Sequence, residues 1–342
     1  MHVAELVGVR QFRLVDRELG APGPGEVQVR VGAVGICGSD LHAYAEGGVG
    51  DSPCVYPMVL GHEPAGVVEQ IGPGVQGWSR GDLVACEPAL CCFHCEQCLS
   101  GRHNLCSRMR FMSTAAEPGF FRDRVNLPAH NVVRLPPPLG VAEGTLVEPL
   151  AVALHSLRLA RVGLGETAVV FGGGPIGLLT VAALKLAGAR RVWLIEPLAH
   201  RRAMAGVVGA DAALGPDEDP VGAMLHDTAQ RGVDVAFDCA AKGDTANQCL
   251  ASVRAGGRVV YTGIGSEART ALDFHRWRRK ELTLTQVRRS NGEEGAARDL
   301  LVEHASRFAP LITHRRPLDQ IGAAFALVHA YEDGVGKLLV CP

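Results

Sequence analysis

Short stretches of alternating apolar and polar residues, separated by glycine and proline, fill residues 1–135. The segment 26–31, EVQVRV, has the alternation of a half-buried strand, and the PGPG sequence before it is typical of a turn. Further strands are predicted at 66–71 and 82–85, with a GPG turn at 72–74. This part of the chain is therefore predicted to form an all-β barrel or sandwich.

The pattern changes at the three prolines 136–138. Residues 144–160 favour a helix, and beyond them continuous apolar runs alternate with helical segments. Strands are predicted at 167–171, 191–195, 233–238, 258–263 and 337–340, and a helix at 176–187. Strands that are apolar throughout are typical of a parallel sheet covered by helices on both faces. The second part is therefore predicted to be α/β, with a doubly wound parallel sheet.

The composition excludes several classes of protein. The 342 residues suffice for two domains, and the 47% of hydrophobic residues are too many for a disordered chain. The 34 basic and 36 acidic residues give a net charge of −2 without a long run of either sign. Because a nucleic-acid binder needs a concentrated basic face, we do not expect nucleic acid as a partner.

Neither a membrane span nor a secreted scaffold is expected. The first residues carry Glu5 and Arg10 and lack the apolar centre of a signal peptide. The longest uncharged run, 167–184, is interrupted by the GGGP sequence at 172–175, which favours a strand, a turn and a helix. The 11 cysteines are odd in number, unlike those of a small disulfide framework. We expect a soluble, cytoplasmic protein with reduced thiols.

Four cysteines with close spacing predict a metal site. Cys92, Cys95, Cys98 and Cys106 form a C-x2-C-x2-C-x7-C pattern, which can enclose one tetrahedral zinc ion. Four protein ligands leave no open position, so this zinc would be structural. Reduced loop cysteines or a redox pair are the alternatives, and Cys91 could compete as a ligand.

A glycine-rich turn predicts a dinucleotide site. Gly172, Gly174 and Gly177 follow an apolar strand and open a helix, and Glu196 ends the next strand. The glycines let the backbone approach a pyrophosphate at the helix N-terminus, and the glutamate can bind the adenosine ribose. The alternative is a glycine-rich turn that binds nothing.

A third group of residues is dispersed along the chain. Cys37, His62 and Glu148 are one thiol, one imidazole and one carboxylate, which suit a catalytic zinc with a fourth position open. Each has an ordinary alternative, such as a core histidine or a surface carboxylate, and spacing alone does not connect them.

Motifs spread over nearly the whole chain connect these residues. They are GICGSDLH (35–42), PMVLGHE (57–63), the cysteine segment, LVEPLAVALH (146–155), GGGPIG (172–177), PLITHRRPL (310–318) and GKLLV (336–340). With them the sequence resembles the zinc-containing medium-chain dehydrogenase/reductases, most of all the sorbitol (polyol) dehydrogenase branch. The resemblance implies a Rossmann domain, residues 150–284, inserted in a β-rich GroES-like catalytic domain made of residues 1–149 and 285–342. It implies an active cleft between the domains.

The resemblance also implies two zinc ions per chain. Cys37, His62 and Glu148 would hold the catalytic zinc, with Glu63 beside it and able to replace a ligand. The four cysteines of the close cluster would hold the structural zinc. A glutamate at 148, where the related alcohol dehydrogenases have cysteine, points to the polyol branch.

The other site residues implied by the resemblance serve the proton, the cofactor and the substrate. Asp40 would orient a ligand imidazole, and Ser39 and His42 would relay the alcohol proton to solvent. Arg201 would contact the cofactor and Arg289 the substrate. NAD would bind at the turn and at the strand end that follows it, through Gly172, Gly174, Pro175, Ile176, Gly177 and Glu196.

The sequence departs from the polyol enzymes at two positions that face the substrate in the family. Ala43 and Ser290 stand where those enzymes have tyrosines. We therefore expect an NAD-dependent oxidoreductase acting on a secondary alcohol of a polyol or sugar-like substrate, in a homodimer or homotetramer. A sugar acid, favoured by Arg110, Arg288 and Arg289, remains an alternative, as do threonine and a simple secondary alcohol. A non-catalytic nucleotide-binding protein would be expected to lack the zinc ligands.

Overall fold

The computed structural model describes residues 1–342. The elements up to residue 160 are β1 (His2–Gly8), β2 (Gln11–Asp16), β3 (Glu26–Gly35), α1 (Gly38–Glu46), β4 (Gly48–Val49), β5 (Ser52–Pro53), β6 (Glu63–Ile71), β7 (Leu83–Cys86), β8 (Ala89–Leu90), α2 (Glu96–Leu99), β9 (Arg110–Phe111), β10 (Arg124–Pro128), β11 (Val132–Arg134), α3 (Val141–Gly144) and α4 (Val147–Ala160). The following elements are β12 (Thr167–Phe171), α5 (Pro175–Leu186), β13 (Arg191–Ile195), α6 (Ala199–Val208), β14 (Ala212–Leu214), α7 (Pro220–Asp227), β15 (Val233–Asp238), α8 (Thr245–Ser252), β16 (Val253–Tyr261), α9 (Phe274–Lys280) and β17 (Thr283–Gln286). The last elements are α10 (Glu294–Glu303), α11 (Ala305–Phe308), β18 (Ile312–Pro317), α12 (Ile321–Ala330) and β19 (Lys337–Cys341).

Contacts within the chain divide it into two compact units. One consists of Met1–Ala151 and Asn291–Pro342, and the other of Val152–Ser290. The sheet of the second unit extends past residue 284, because β17 pairs in parallel with β16 through Gln286.

The first unit is built around a seven-stranded sheet with the order β11-β7-β6-β3-β19-β18, in which β10 also pairs with β3. Strand β3 is long enough to have two neighbours on one edge: β10 faces Glu26–Arg30, and β19 faces Val34 and Gly35. On its other edge β3 pairs with β6 over its whole length. The C-terminal strand β19 therefore lies beside the end of β3 that leads to Cys37.

The second unit is a six-stranded parallel sheet with the order β14-β13-β12-β15-β16-β17. All five residues of β12 and all six of β15 are buried, as the continuous apolar runs predict. The two halves of the sheet diverge from β12, so the topology is the doubly wound one that the sequence predicts. None of the helices combines the length and the apolar character needed to cross a membrane.

Candidate metal centres and cofactor site

The four clustered cysteines bring their sulfur atoms together in the first unit. Cys92 Sγ lies 3.5 Å from Cys106 Sγ and 4.0 Å from Cys98 Sγ, and Cys95 Sγ lies 3.9 Å from Cys106 Sγ. Four sulfurs each about 2.3 Å from a central zinc ion would be about 3.8 Å apart at the corners of a tetrahedron. The donor set and its spacing therefore fit one structural zinc.

The charges of this cluster also favour a cation at its centre. The backbone amides of Cys98 and Ser107 lower the pKa of Cys95 to about 5, whereas burial and the Cys95 sulfur raise the pKa of Cys98 to about 12. A cation bound among the sulfurs would offset the effects that raise the pKa of Cys98. Cys91 lies outside the group, with its thiol 3.4 Å from the carbonyl oxygen of His103.

A second group of donor atoms forms where β3, α1 and β6 meet. Cys37 is the N-cap of α1, His62 directly precedes β6, and Glu63 is the first residue of β6, opposite Gly35 of β3. One donor atom from each of Cys37, His62 and Glu63 lies within 4.8 Å of the other two. A thiol, an imidazole and a carboxylate are ligands that zinc accepts in catalytic sites.

Asp40 lies next to this group of donors and is hydrogen bonded to the residues around it. It is 1% exposed, and its carboxylate accepts hydrogen bonds from the amides of Cys37 and Gly61 and from Ser113 Oγ, at 3.1, 3.2 and 3.2 Å. Asp40 Oδ1 also lies 3.4 Å from His62 Nδ1. Burial would raise the pKa of Asp40, but the imidazole and the amides outweigh it and lower that pKa overall. With Nδ1 facing Asp40, His62 presents Nε2 to the other donors.

One carboxylate oxygen of Glu63 has a hydrogen-bond partner and the other has none. Its Oε2 lies 2.5 Å from Lys337 Nζ, whereas Oε1 is buried and has no hydrogen-bond partner. Burial would lower the pKa of Lys337, but Glu63 and Cys37 raise it overall, so the amine is charged. Lys337 belongs to the GKLLV segment. The only sign of its role in the sequence is that a charged residue begins an otherwise apolar strand.

Glu148 lies outside the group of three donors, in the first turn of α4. Burial raises the pKa of Glu148 to about 7, His62 and Lys337 oppose this rise, and Glu63 adds to it. The carboxyl is therefore within electrostatic reach of the centre, although the structure does not bring it among the closest donors.

The two residues expected to relay a proton lie on the same short helix, α1. Ser39 Oγ is 3.4 Å from His62 Nε2, and His42 Nδ1 is 2.9 Å from Glu46 Oε1. Ser39 and His42 are not hydrogen bonded to each other. Glu46, one turn after His42, and Ser113 behind Asp40 are contacts that sequence reasoning missed, since neither belongs to a quoted motif.

The glycine turn in the second unit needs its glycines. Gly172 has φ +97°, and a side chain there would crowd the backbone of Ala240. A side chain on Gly177 would overlap the carbonyl oxygen of Gly172. Gly174 is the N-cap of α5, with Pro175 and then Ile176 opening the helix, and no side chain caps its amides. These amides suit an anionic phosphate.

Glu196 is fixed beside this turn. Its Oε2 accepts the amide of Gly173 at 2.6 Å, and its Oε1 accepts the amide of Leu198 at 2.9 Å. Arg202 Nη1 donates to the carbonyl oxygens of Glu196 and Pro197 at 2.8 and 2.7 Å. Arg201 is buried, and a side chain on Gly174 would lie 3.9 Å from its Nη1.

The residues expected to face a substrate have different surroundings. Ala43 is 1% exposed and packs in the core of the first unit. Arg110 forms an ion pair with Glu117 at 2.9 Å, so its charge is already compensated. In the second unit Arg289 is half-buried with a left-handed backbone, φ +57°, and Ser290 is half-buried beside it.

Comparisons with known proteins cover both units. The family model of the alcohol dehydrogenase GroES-like domain matches residues 23–137, and that of zinc-binding dehydrogenases matches residues 175–303. An L-idonate 5-dehydrogenase from Vitis vinifera is 34% identical over 93% of this chain and 88% of its own length. A sorbitol dehydrogenase from Arabidopsis thaliana is 34% identical over 91% of this chain and 87% of its own.

A solved structure agrees over the whole chain. The crystal structure of a Sinorhizobium meliloti 1021 dehydrogenase, described as zinc-binding and bound to NADP, has a TM-score of 0.92 at 31% identity. It covers 100% of this chain and 99% of its own. The match and the two family models confirm the predicted fold class, a GroES-like domain with a Rossmann domain.

Proposed function

Because the chain belongs to the zinc-containing medium-chain dehydrogenase/reductase superfamily, in its sorbitol dehydrogenase-like branch, we propose that it oxidises a secondary hydroxyl of a polyol to a ketone with NAD. The observation that carries this proposal is the meeting of Cys37, His62 and Glu63 within 4.8 Å, with Asp40 directly behind the imidazole. A protein that had lost catalysis would have no reason to keep this buried donor set.

Different residues of the chain have different roles in the proposed reaction. When bound, zinc would supply Lewis acidity toward the substrate hydroxyl, and the nicotinamide would accept the hydride. Cys37 and Glu63 provide anionic donors, and His62 provides an imidazole nitrogen that Asp40 keeps in orientation. Ser39, 3.4 Å from His62 Nε2, is placed to take the hydroxyl proton.

The proton then leaves through His42. Since Ser39 and His42 are not hydrogen bonded to each other, a hydroxyl group or a water molecule has to bridge them. Glu46 Oε1, 2.9 Å from His42 Nδ1, orients the ring and stabilises the imidazolium that forms. The Glu46 side chain is 49% exposed, so the proton reaches solvent at this end of α1.

Glu63 is proposed as the third ligand in the resting enzyme and Glu148 as the carboxylate that exchanges with it. The basis is position, because Glu63 belongs to the group of closest donors and Glu148 does not. Glu148, in the first turn of α4, is within electrostatic reach of His62 and Glu63, so it would be the carboxylate that replaces Glu63. The cysteine cluster would hold a second, structural zinc.

NAD is proposed as the cofactor in preference to NADP. Two backbone amides hold the Glu196 carboxylate in place, and each oxygen keeps a lone pair for a ribose hydroxyl. The 2′-phosphate of NADP would bring negative charge against this carboxylate. Arg202 is turned toward two backbone carbonyls, so it is less available to neutralise that phosphate.

A sugar acid is the second candidate substrate. The relative from Vitis vinifera is named an L-idonate 5-dehydrogenase, and Arg289 is a half-buried cation in a strained, left-handed backbone conformation. Arg110 does not add to this argument, since Glu117 already pairs with it. A homodimer or homotetramer is proposed from the family, and the open edge of β17 gives a second copy a place to pair.

A substrate panel tests this proposal. Sorbitol, xylitol, L-idonate, L-threonine and butane-2,3-diol would be compared by the absorbance of the reduced nicotinamide, with the metal content measured on the same sample. We expect a polyol to give the highest kcat/KM and Cys37→Ser to abolish turnover. Preference for L-idonate, lost in Arg289→Gln, would favour the sugar acid. No turnover with any alcohol by a fully metallated protein would contradict the proposal.

A further inference from the structure

Lys337 is a buried lysine with no role in the chemistry described above. Its side chain is 2% exposed, and its Nζ donates to Glu63 Oε2 at 2.5 Å and to the carbonyl oxygen of Ile36 at 3.1 Å. Glu63 itself is fully buried. Taking two charges out of water carries a desolvation cost that their attraction often fails to offset, so a buried ion pair in this place is weak evidence for a purely stabilising role.

Three paired strands, β3, β6 and β19, enclose the Glu63 carboxylate in a narrow slot. Glu63 of β6 lies opposite Gly35 of β3, and Gly35 in turn lies opposite Leu339 of β19. A side chain at Gly35 would overlap Glu63 Oε2, so glycine is required there. Lys337, two residues before Leu339, closes the slot from the β19 side.

The two oxygens of the Glu63 carboxylate have different surroundings. Oε2 is held by the ammonium, whereas Oε1 is buried without a partner. The carboxylate also belongs to the group in which the donor atoms of Cys37 and His62 lie within 4.8 Å. Glu148, the other carboxylate near this centre, forms no ion pair with any lysine or arginine. The two carboxylates thus differ in how they meet the cation: Lys337 is hydrogen bonded to Glu63, whereas it acts on Glu148 only through its charge.

We propose, on the basis of the function proposed above, that Lys337 is the positioning residue of the metal centre. Its ammonium holds Glu63 Oε2, so that Glu63 offers Oε1 alone as a ligand atom, and it places a fixed positive charge beside the two anionic donors Cys37 and Glu63. Without the ammonium, Glu63 would be free to bind through both oxygens, and the number of ligand atoms around the metal would rise.

Cobalt substitution tests this inference without relying on activity. The visible absorption bands of Co²⁺ are strong when it has four ligand atoms and weaken as the number of ligand atoms rises. The spectrum of Cys37→Ser, which lacks the Cys37 centre, gives the absorption of the cysteine cluster alone. Lys337→Met is expected to lose band intensity at the Cys37 centre, and Lys337→Arg, which keeps a cation, to retain the wild-type spectrum. If Lys337→Met does not fold, Lys337→Leu removes the charge and the donor with a shorter apolar side chain.

Lys280→Met is the matched control. Lys280 is also a partly buried lysine, but it belongs to the second unit and donates to the carbonyls of Leu250, Ala251 and Val253. This variant is expected to lose stability and to keep the cobalt spectrum.

Different outcomes test the role of Lys337 and the metal centre itself. An unchanged cobalt spectrum in Lys337→Met or Lys337→Leu, with metal bound, would overturn the role of Lys337. Wild-type protein that takes up no cobalt beyond the cysteine cluster would overturn the proposed centre itself.

Discussion

At the scale of single residues, Glu196 is the side chain expected to select the cofactor. Two like charges about 4 Å apart repel by about 4 kcal/mol at an effective dielectric constant near 20, and solvent screens part of this. We expect kcat/KM to be about a hundredfold higher with NAD than with NADP. Glu196→Gln, which keeps the shape and removes the charge, should lose most of this preference. Steady-state kinetics with both cofactors and one good substrate measure it.

Arg202→Gln is the control for this prediction. Its guanidinium is bound to the carbonyls of Glu196 and Pro197, so its loss should change the two cofactors alike. A wild-type ratio near one, or a ratio that Glu196→Gln leaves unchanged, would assign the choice to Arg201 and Arg202 instead.

His42 is the second residue with a testable role. His42→Ala should slow alcohol oxidation by about 10- to 100-fold, most strongly at low pH, because proton release to solvent is hardest there. Added imidazole should restore part of the rate. Glu46→Gln, which removes only the negative charge beside His42, should have a smaller effect in the same direction. Equal pH profiles for His42→Ala and the wild type would mean that the proton leaves by another path.

At the scale of the elements, Asp234 ties together neighbouring strands of the parallel sheet. This residue of β15 is 6% exposed and accepts hydrogen bonds from the amide and hydroxyl of Thr167 on β12, at 2.9 and 2.8 Å. Arg231 lies 2.5 Å from its Oδ1 and Arg254 of β16 lies 2.8 Å from it. Burial would raise the pKa of Asp234, but these partners outweigh it and lower that pKa overall.

The sign of this shift predicts a pH dependence. A carboxylate whose pKa is lowered by folding stabilises the protein above its unfolded pKa of about 4, and this contribution is lost as the pH falls below that value. Asp234→Asn should therefore speed amide hydrogen exchange in 167–171 and 233–238 at neutral pH, with a smaller difference from wild type in acid. Asp227→Asn, which breaks a more exposed pair with Arg191, should change exchange little. A difference independent of pH would contradict the prediction.

At the scale of the whole molecule, the two metal centres should serve different purposes. The segment around the cysteine cluster has only short elements: the four-residue helix α2, a 3-10 turn at His103–Leu105 and the two-residue strands β8 and β9. Its apolar residues Phe93, Leu99 and Leu105 are exposed, so a bound metal would have to supply much of its folding free energy. Cys92→Ser should lower the thermal unfolding temperature, whereas Cys37→Ser should abolish activity with a smaller change in stability.

Metal analysis checks this division. We expect two zinc ions per wild-type chain and one in each variant. A fully active wild type that contains a single zinc ion would show that one of the two centres is not a zinc site.

Local sequence patterns were enough for three of the six parallel strands and for the cysteine cluster, whereas the strand predicted at 258–263 is Val253–Tyr261 and the edge strands β14 and β17 were not predicted. The strands 167–171, 191–195 and 233–238 have the predicted bounds, because a strand buried on both faces is apolar throughout. The four cysteines are close in sequence, so a short loop brings them together whatever the rest of the fold does. The helix predicted at 144–160 begins at Val147, since a separate short helix, Val141–Gly144, precedes it.

The tertiary structure alone decided how the donor set is arranged. Glu63 and Lys337 are 274 positions apart, and they meet because β6, β3 and β19 pair in one particular register around Gly35. The choice of Glu63 over Glu148 among the closest donors depends on the same register. A local pattern reports whether a residue prefers burial or a turn. It does not encode which distant strand lies beside it, because strand pairing is set by the packing of the whole sheet.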